Sequence, residues 1–376
     1  MPDPLSERQA FMILNDLPNI GPITLNRLLQ ELDGDPRDIF TADKRRLESV
    51  RGVGPETSAA LLNWRTHFDL AREEERLTQA GAVFITTRDE GYPKMLKEIH
   101  DPPIGLYRKG DYLFGQPCIA VVGSRRTTLY GQSVAKKLGA ELAQMGFCVV
   151  SGLARGIDTA AHEGALSVGG RTVAVLGCGL DIVYPPENLG LYRRIVETGA
   201  VLSEFPFGRK ADKQTFPMRN RVVSGISEGV VVVESDVSGG AMITARFAGE
   251  QGRLIFAVPG RIDQATSAGC HQLIRDGATL LTGVDDILNE LNYLDGLRPK
   301  AITTEGEVSV LEQLLPQLDE KERRVLAAFK GGAMLGIDAL ASTTGLAAAD
   351  IAAALMMLEL KKLVTKRADG TFEARG

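Results

Sequence analysis

The stretch VVVVESDVSGGAMITARFAGEQGRLIFAVPG, residues 230–260, decides the fold of this chain. It begins with an apolar run, Val230–Glu234, and ends on a second one, Leu254–Val258, with a helical stretch between them. Short runs rich in Val and Ile are typical of strands that are covered on both faces. A strand, a helix and a second strand in this order predict a right-handed βαβ unit with parallel strands.

The same alternation extends toward the N-terminus of the chain. Further apolar runs lie at Cys118–Gly123, Phe147–Ser151, Thr172–Leu176 and Val201–Glu204. The helical stretches are Gln132–Met145, Thr159–Val168, Leu189–Thr198, Arg219–Ser227, Met242–Gln251 and Ala268–Asp276. This order predicts an α/β fold built on a doubly wound parallel Rossmann-like sheet, which we assign to residues 79–297. An edge strand is also expected around Ile104 to Arg108, where the prolines of the preceding connector end.

Residues 1–78 are predicted to form a small helical domain of the helix-hairpin-helix or SAM-like type. Two similar phrases support this: LPNIGPITLNRLL, which begins at Leu17, and VRGVGPETSAALL, which begins at Val50. In a helix-hairpin-helix motif, a glycine turn lets backbone N–H groups approach a DNA phosphate. The first phrase has Asn19 where the second has Gly52. The pair therefore either contacts DNA or serves only as a helical scaffold.

The C-terminal residues 318–376 follow a linker at residues 298–317 and are predicted to form a winged-helix domain. Three helical phrases precede a short hairpin, Leu363 to Ala374, whose turn is Asp369-Gly370 and which would be the wing. Lys and Arg do not outweigh Asp and Glu enough to make a basic recognition face evident. Binding of DNA, binding of a protein and simple packing all stay open for this domain.

Charge is unevenly distributed along the chain. The net charge of −5 argues against a polyanionic partner for the protein as a whole. Residues 119–223, however, hold 13 Lys and Arg against 8 Asp and Glu, whereas residues 224–296 hold 4 against 10. A local basic field attracts a polyanion even when the total is acidic, so this split favours an oriented binding face over ordinary scatter.

The spacing of the cysteines and the distribution of apolar residues restrict the class of protein. The four cysteines are Cys118, Cys148, Cys178 and Cys270, and no pair has metal-ligand spacing. We interpret them as buried thiols in a reducing compartment. The first residues do not show the basic-then-apolar pattern of a signal segment, and no stretch reaches 18 apolar residues, so neither a signal peptide nor a membrane span is expected. The cytoplasm is the expected location, and neither a metal nor a cofactor is predicted.

Candidate ligand contacts follow the predicted strands, because ligands of open α/β sheets lie beyond the carboxyl ends of the strands. Glycine turns with hydroxyls and arginines suit phosphate, since arginine offers planar paired donors. The turns after the first two strands supply Gly123, Ser124, Arg125, Arg126, Ser151, Gly152 and Arg155. The turn after the fifth strand opens a helix, whose N–H groups also suit phosphate, and supplies Ser238, Gly239, Gly240 and Thr244.

The most informative stretch is SEFPFGRKADKQTFPMRNRVVSG, residues 203–225. Cations that track a phosphate backbone, interleaved with rings that stack on bases, are what single-stranded nucleic acid requires. The candidates are Arg209, Lys210, Lys213, Phe216, Arg219, Asn220 and Arg221. Arg219 and Arg221 are expected at the positive end of a helix. The alternative is a solvated loop whose aromatic rings anchor it to the core.

Several phrases taken together closely resemble the DNA-processing protein A family (DprA, also called Smf). They include VVGSRR, SGLARGIDTAAHEGAL, TVAVLGCGLDIVYPPEN, FPMRNRVVSGIS and GCHQLIRDGATLL, and the similarity extends from about Tyr92 to Leu294. The resemblance implies a cytoplasmic protein that binds single-stranded DNA, forms a homodimer and loads the RecA recombinase during natural transformation. It implies no catalytic residue, so we expect no enzyme. The family's basic residues ahead of Phe216 have no unique match here.

Two other functions are compatible with the same turns. One is nucleotide cleavage by a phosphoribohydrolase-like Rossmann protein, whose phrase P-G-G-x-G-T-x-x-E carries a catalytic Glu; the comparable phrase here is SGGAMITARFAGE, with Ala245-Arg246 after the Thr. The other is sensing of one small nucleotide. Only a polynucleotide-binding protein should gain affinity with ligand length and lose it steeply with salt. Replacing Arg125 or Arg221 by Ala is expected to weaken oligonucleotide binding without unfolding the protein.

Overall fold

The computed structural model describes residues 4–294, 318–329, 334–361, 363–366 and 371–374. The chain divides into two compact units, residues 1–300 and residues 301–376. The first unit contains both the N-terminal helices and the predicted Rossmann-like core. The domain boundary at residue 78 stays a prediction, and the linker at residues 298–317 lies outside the described residues.

A nine-stranded sheet forms the centre of the first unit. Its strands are β1 (Ala82–Thr86), β2 (Gly105–Lys109), β3 (Cys118–Val122), β4 (Cys148–Ser151), β5 (Thr172–Leu176), β6 (Ala200–Ser203), β7 (Gly229–Val232), β8 (Leu254–Ala257) and β9 (Thr279–Leu280). The spatial order is β1-β2-β6-β5-β4-β3-β7-β8-β9. The seven strands from β6 to β9 in this order are parallel, and β2 and β1 are added antiparallel at one side. The predicted Rossmann-like sheet is confirmed.

The edge of the sheet differs from the prediction. The segment expected as an edge strand forms β2, which lies between β1 and β6. The actual edge is β1, whose Phe84 pairs with Tyr107 of β2. Both rings are buried and pack with their centres 5.0 Å apart in an edge-to-face arrangement. This contact holds β1 against β2, so β2 is an interior strand and not the edge.

Helices cover both faces because the buried strands alternate apolar side chains between two cores. Ile119 and Val121 of β3 point into one core, while Ala120 and Val122 point into the other. The first core is closed by α7 (Leu129–Gln144), α8 (Ile157–Ser167) and α13 (Val284–Glu290). The second is closed by α6 (Lys94–Lys97), α10 (Thr215–Ile226), α11 (Gly240–Glu250) and α12 (Ala265–Arg275). Helix α9 (Leu189–Thr198) packs at the β5–β6 end of the sheet.

The N-terminal helices build two hairpins of the predicted kind. They are α1 (Glu7–Asp16), α2 (Pro22–Glu31), α3 (Lys44–Ser49), α4 (Pro55–Leu62) and α5 (Leu70–Ala80). Asn19 and Gly52 occupy equivalent turns with φ of 62° and 99°, so Asn19 adopts the left-handed conformation that the missing glycine would have supplied. Pro22 and Pro55 then begin α2 and α4. These helices share one hydrophobic core with Phe84 and Tyr107 of the sheet.

The second unit is a winged helix. It contains α14 (Glu320–Ala327), β10 (Met334–Leu335), α15 (Ile337–Thr344), α16 (Ala348–Leu360), β11 (Val364–Lys366) and β12 (Phe372–Ala374). The last two strands pair antiparallel, as expected for the wing, in a sheet of order β10-β12-β11. The predicted turn at Asp369-Gly370 lies outside the described residues.

A search of the described helices for membrane spans finds no single helix that is long and apolar enough to cross a bilayer. The helices α15 and α16 meet that test only when they are taken together, and they are bent by 108° at the break between them.

Candidate nucleic-acid interface

A cleft of about 630 Å³ lies beyond the carboxyl ends of β3 and β7. The chain runs from β3 through β4 and β5 to one side of the sheet, and from β7 through β8 and β9 to the other. The connections leave these two strands in opposite directions and open a crevice at this switch point, which is where ligands of doubly wound sheets bind. The lining residues predicted from the sequence are Gly123, Ser124, Arg125, Arg126, Gly152, Lys213, Phe216, Arg219, Asn220, Gly239, Gly240 and Thr244.

The turn after β3 is held in place by Glu234, which follows β7. The Glu234 carboxylate is 2% exposed and accepts hydrogen bonds from the Thr127 hydroxyl at 2.6 Å and from the Thr128 amide at 2.9 Å. Gly123 cannot carry a side chain here, because a Cβ would lie 2.5 Å from Ile157 Cγ1. These contacts leave Arg125 and Arg126 at the mouth of the cleft, both exposed.

An arginine and two rings form one wall of the cleft. The guanidinium of Arg125 lies 4.7 Å from the centre of the Phe216 ring, a cation–π distance. The Tyr184 ring packs against the same Phe216 at 5.8 Å and an angle of 51°. Within the described part of the chain, Arg125, Arg126 and Lys213 have no ion-pair partner. Their charges are therefore available to an anion in the cleft.

Arg219 lies at the floor of the cleft and is 5% exposed. Its Nη1 donates to the carbonyl oxygens of Gly152, at 2.6 Å, and of Val175, at 2.5 Å. Burial lowers the pKa of the guanidinium, and the nearby carboxylate of Asp158 opposes that shift. Asp158 is itself buried and accepts from the Gly152 amide at 3.0 Å. The positive charge is thus set into the floor by fixed contacts rather than carried on a mobile side chain.

The start of α11 faces the same cleft. A side chain at Gly239 would crowd this turn, because a Cβ would lie 2.3 Å from Ser235 Oγ and force it to move. Gly240 has open space around its Cβ position, so an added methyl group would meet no protein atom. The Asn220 side-chain amide donates to the Gly240 carbonyl oxygen at 3.3 Å and links α10 to α11. The first turn of α11 therefore presents backbone N–H groups to the cleft from a rigid position.

Comparison with known proteins decides the family. Residues 83–292, more than half of the chain, match the family described as DNA recombination-mediator protein A. The chain belongs to the DNA recombination-mediator protein A family. Residues 310–370 match the DprA winged helix domain. The protein Smf of Synechocystis sp. is 32% identical over 397 residues and aligns with 98% of this chain and 99% of its own length.

Two solved structures extend the comparison within this family. The X-ray structure of DNA processing protein A (DprA) from Streptococcus pneumoniae has a TM-score of 0.66 and 33% identity, and the alignment covers 77% of this chain and 99% of that one. DNA processing protein A from Helicobacter pylori has a TM-score of 0.51 and 32% identity, with 56% and 96% covered. That structure concerns a unique single-stranded DNA binding mode of the H. pylori protein.

Six predicted contact residues lie outside the cleft lining, and the first three are Ser151, Ser238 and Arg155. The Ser151 hydroxyl is fully buried and donates to the Val121 carbonyl oxygen at 2.6 Å, so it cannot reach a phosphate. Ser238 donates its hydroxyl to Asp236 at 3.0 Å and lies outside the lining. Arg155 is exposed and forms an ion pair with Glu187, beside Tyr184 rather than in the main cleft.

Arg221 requires a correction. Its side chain is 5% exposed and forms ion pairs with Glu204 and, at 3.4 Å, with Asp101. Arg221 and Arg219 also do not begin α10, because the Asp212 carboxylate accepts from the Thr215 amide at 2.9 Å and starts the helix four residues before Arg219. The structure therefore does not bring Arg221 to the cleft, and its buried ion pairs stabilise the fold.

The segment from Phe205 to Gln214, which we call the basic loop, carries the remaining cations. Arg209 and Lys210 are exposed but lie outside the cleft lining, and Arg209 donates to Asp212 at 2.7 Å. Lys213 reaches the cleft. The rings of Phe205 and Phe207 are buried, so they anchor the loop to the core and do not stack on a ligand.

Four polar lining residues were missed by sequence reasoning: Asp158, Ser235, Asp236 and Thr266. Asp158, Ser235 and Asp236 follow the ends of β4 and β7, a signal that could have identified them. Thr266 comes from the distant start of α12, and its buried hydroxyl has no partner within the described residues. The described residues also contain no group of His, Cys, Asp and Glu arranged to hold a metal.

Proposed function

We propose that this protein binds single-stranded DNA in the cleft and loads the RecA recombinase on it during natural transformation. The observation that carries the proposal is the gathering of Arg125, Arg126, Lys213 and Arg219 in one cleft, where Arg125 lies over the ring of Phe216. Cations can hold successive phosphates while an aromatic ring stacks on a base, and such stacking tolerates any sequence. The DNA binding mode described for the H. pylori relative supports the same assignment.

Nucleotide cleavage is the first alternative, and the geometry disfavours it. Thr244 lines the cleft near the start of α11, whereas Glu250 is the last residue of that helix. Ten residues of helix separate Gly240 from Glu250, a distance of about 15 Å along the axis. Glu250 instead pairs with Arg246 on the surface at 3.7 Å. We infer that the protein is not an enzyme, and the test is release of free base from nucleoside monophosphates.

Sensing of a single nucleotide is the second alternative. A cleft of about 630 Å³ falls in the range of small-molecule sites, so volume alone does not exclude it. Arg125, Arg126 and Lys213, which have no ion-pair partner within the described residues, nevertheless carry more positive charge than one phosphate group can neutralise. Several phosphates in a chain would satisfy all of them, and each contact would add to the salt dependence.

Fluorescence anisotropy with labelled oligo(dT) of increasing length, titrated at several salt concentrations, tests the binding proposal. We expect affinity to rise with length and the logarithm of the association constant to fall linearly with the logarithm of salt, with about 0.7 in slope for each phosphate contact. Arg126→Ala should reduce the magnitude of that slope by about 0.7, the value for one lost phosphate contact. The matched control is Arg261→Ala, which removes an exposed arginine paired with Asp263. Equal binding of a mononucleotide and a long oligonucleotide would refute the proposal.

RecA loading, dimerisation and location are separate parts of the proposal. RecA loading predicts that the protein accelerates RecA filament formation on single-stranded DNA already covered by a single-strand-binding protein. RecA ATPase activity measures this, and an Arg125→Ala variant should fail. A homodimer predicts twice the monomer mass in sedimentation equilibrium. Cytoplasmic location, where RecA acts, predicts recovery with the cytosolic fraction.

A further inference from the structure

Helix α5 of the N-terminal region binds the basic loop through the backbone N–H and C=O groups of one residue, Phe207. The amide N–H of Phe207 donates to Glu73 Oε1 at 2.9 Å, and the Phe207 carbonyl oxygen accepts from Arg76 Nη1 at 3.0 Å. Glu73 and Arg76 lie one turn apart on α5, and their charged groups are 3.6 Å from each other. An ion pair thus satisfies both polar groups of a single residue in the loop, and we call this arrangement the clamp.

The clamp is built into the interior rather than resting on the surface. Glu73 is 4% exposed, and burial raises the pKa of its carboxyl group. The Phe207 ring packs on Tyr107 of β2 at 5.6 Å and 84°, edge to face. The position of Phe207 is therefore determined by α5 and by the antiparallel side of the sheet, both outside the cleft.

The cations of the basic loop follow directly after the clamped residue. Gly208 donates its amide to Asp181 at 2.9 Å, and Gly179 donates its own amide to the Arg209 carbonyl oxygen at 2.9 Å. Beyond this point Lys210 and Lys213 are exposed, and Lys213 reaches the cleft. The clamp is therefore the first of several contacts that fix the loop backbone, followed by those of Gly208 and Arg209 and by the Asp212 carboxylate at the start of α10.

We propose that Glu73 and Arg76 of α5 are positioning residues for DNA binding, which hold the basic loop so that Lys213 faces the cleft. This inference rests on the proposed function and deepens it. It assigns the N-terminal helical region a role in DNA binding that does not require the region to touch DNA. Removal of the clamp should free the loop, weaken one phosphate contact and leave the Arg125 side of the cleft intact.

The test compares Arg76→Met with Arg72→Met in the full-length protein. Both variants remove one positive charge from α5, but the Arg72 side chain is exposed, and the described hydrogen bonds between α5 and the loop come from Glu73 and Arg76. We expect Arg76→Met to bind oligo(dT) about threefold to tenfold more weakly and to lower the salt slope by about 0.7, as for one lost phosphate contact. Arg72→Met should bind like the wild type. Hydrogen exchange should accelerate in residues 207–213 of Arg76→Met but not in residues 123–128.

Further variants keep the test decisive. Glu73→Gln/Arg76→Met removes the buried charge together with its partner, so it can replace the single variant if Arg76→Met does not fold. Lys213→Ala should weaken binding in the wild type but add nothing in the clamp variant, because the same contact is already lost. The inference is overturned if clamp variants match Arg72→Met in affinity, slope and exchange. If Arg125→Ala also binds normally, the proposed function itself fails.

Discussion

Arg125 and Phe216 come from different strand ends of the sheet and meet at 4.7 Å, guanidinium over ring. Arg125 belongs to the turn after β3, and Phe216 is the second residue of α10. A cation lying on one aromatic face leaves the rest of that face and the outer donors of the guanidinium for a ligand. A base and its phosphate could therefore be held at the same place.

Loss of the Phe216 ring is expected to weaken oligonucleotide binding without unfolding the protein. Phe216→Ala should cost roughly 1–3 kcal/mol of binding free energy, the usual contribution of one stacked base. Phe216→Tyr keeps the aromatic face and should bind nearly as tightly as the wild type. Anisotropy titrations of the three proteins with the same oligo(dT) measure this. Identical affinities for Phe216→Ala and the wild type would exclude stacking on this ring.

Replacement of two cleft glycines by alanine should affect the folded protein differently: Gly152 has no room for a methyl group, whereas Gly240 does. A Cβ on Gly152 would lie 1.9 Å from Arg219 Nη1, so Gly152→Ala must displace the buried guanidinium. We expect this variant to lose most of its DNA affinity and some stability. Gly240→Ala meets no protein atom within 4 Å and should fold normally.

The same pair of variants also examines the start of α11. Urea denaturation gives the stability of each variant, and anisotropy gives its DNA affinity. If Gly240→Ala folds normally but binds poorly, the ligand backbone approaches α11 closely at this residue. A stable Gly152→Ala protein with normal affinity would contradict the fixed position of Arg219.

Arg221→Ala should reduce the stability of the protein, contrary to what its sequence context suggests. The variant leaves Glu204 buried without its charged partner, a change that typically costs roughly 3–5 kcal/mol. Glu204→Gln/Arg221→Met removes both charges and should be closer to the wild type. Arg246→Ala, which breaks an exposed pair with Glu250, is the control and should cost less than about 1 kcal/mol. Urea midpoints that do not differ between Arg221→Ala and this control would contradict the structural role.

Asp16 should make the protein less stable as the pH rises from about 4 to about 6. Although Asp16 is exposed, desolvation by the atoms packed around its carboxyl group, followed by the neighbouring Glu73 carboxylate, raises the pKa of Asp16 from 3.8 to about 6 in the folded protein. The folded state therefore holds this proton more tightly than the unfolded state, and its advantage is lost as the pH rises through the folded pKa. Asp16→Asn should melt higher than the wild type at pH 7 and similarly at pH 4. Because solvent reaches this side chain, the difference should stay below about 1 kcal/mol. Parallel melting-temperature profiles between pH 4 and pH 7 would contradict the assignment.

Local sequence was sufficient for the sheet and for most of the cleft lining. Runs such as Thr172–Leu176 are short, apolar and bounded by turns, so their pairing into a parallel sheet follows from patterns that any strand of this kind shows. The turn residues Gly123, Arg125 and Gly239 could likewise be named, because the carboxyl ends of parallel strands lie at one edge of the sheet. In each case, residues that are neighbours along the chain determine the local conformation, so the sequence alone is enough to predict it.

Only the tertiary structure separated Arg219 from Arg221. The two arginines are two residues apart on one helix and look equivalent in the sequence, yet about 200° of helical rotation separates their side chains. Arg219 therefore reaches the floor of the cleft, whereas Arg221 meets Glu204 and Asp101 on another side. The clamp of Glu73 and Arg76 on Phe207 was equally invisible, since its members lie more than 100 residues apart in the chain. The direction of a side chain and the partner it finds depend on packing between distant segments, which no local pattern encodes.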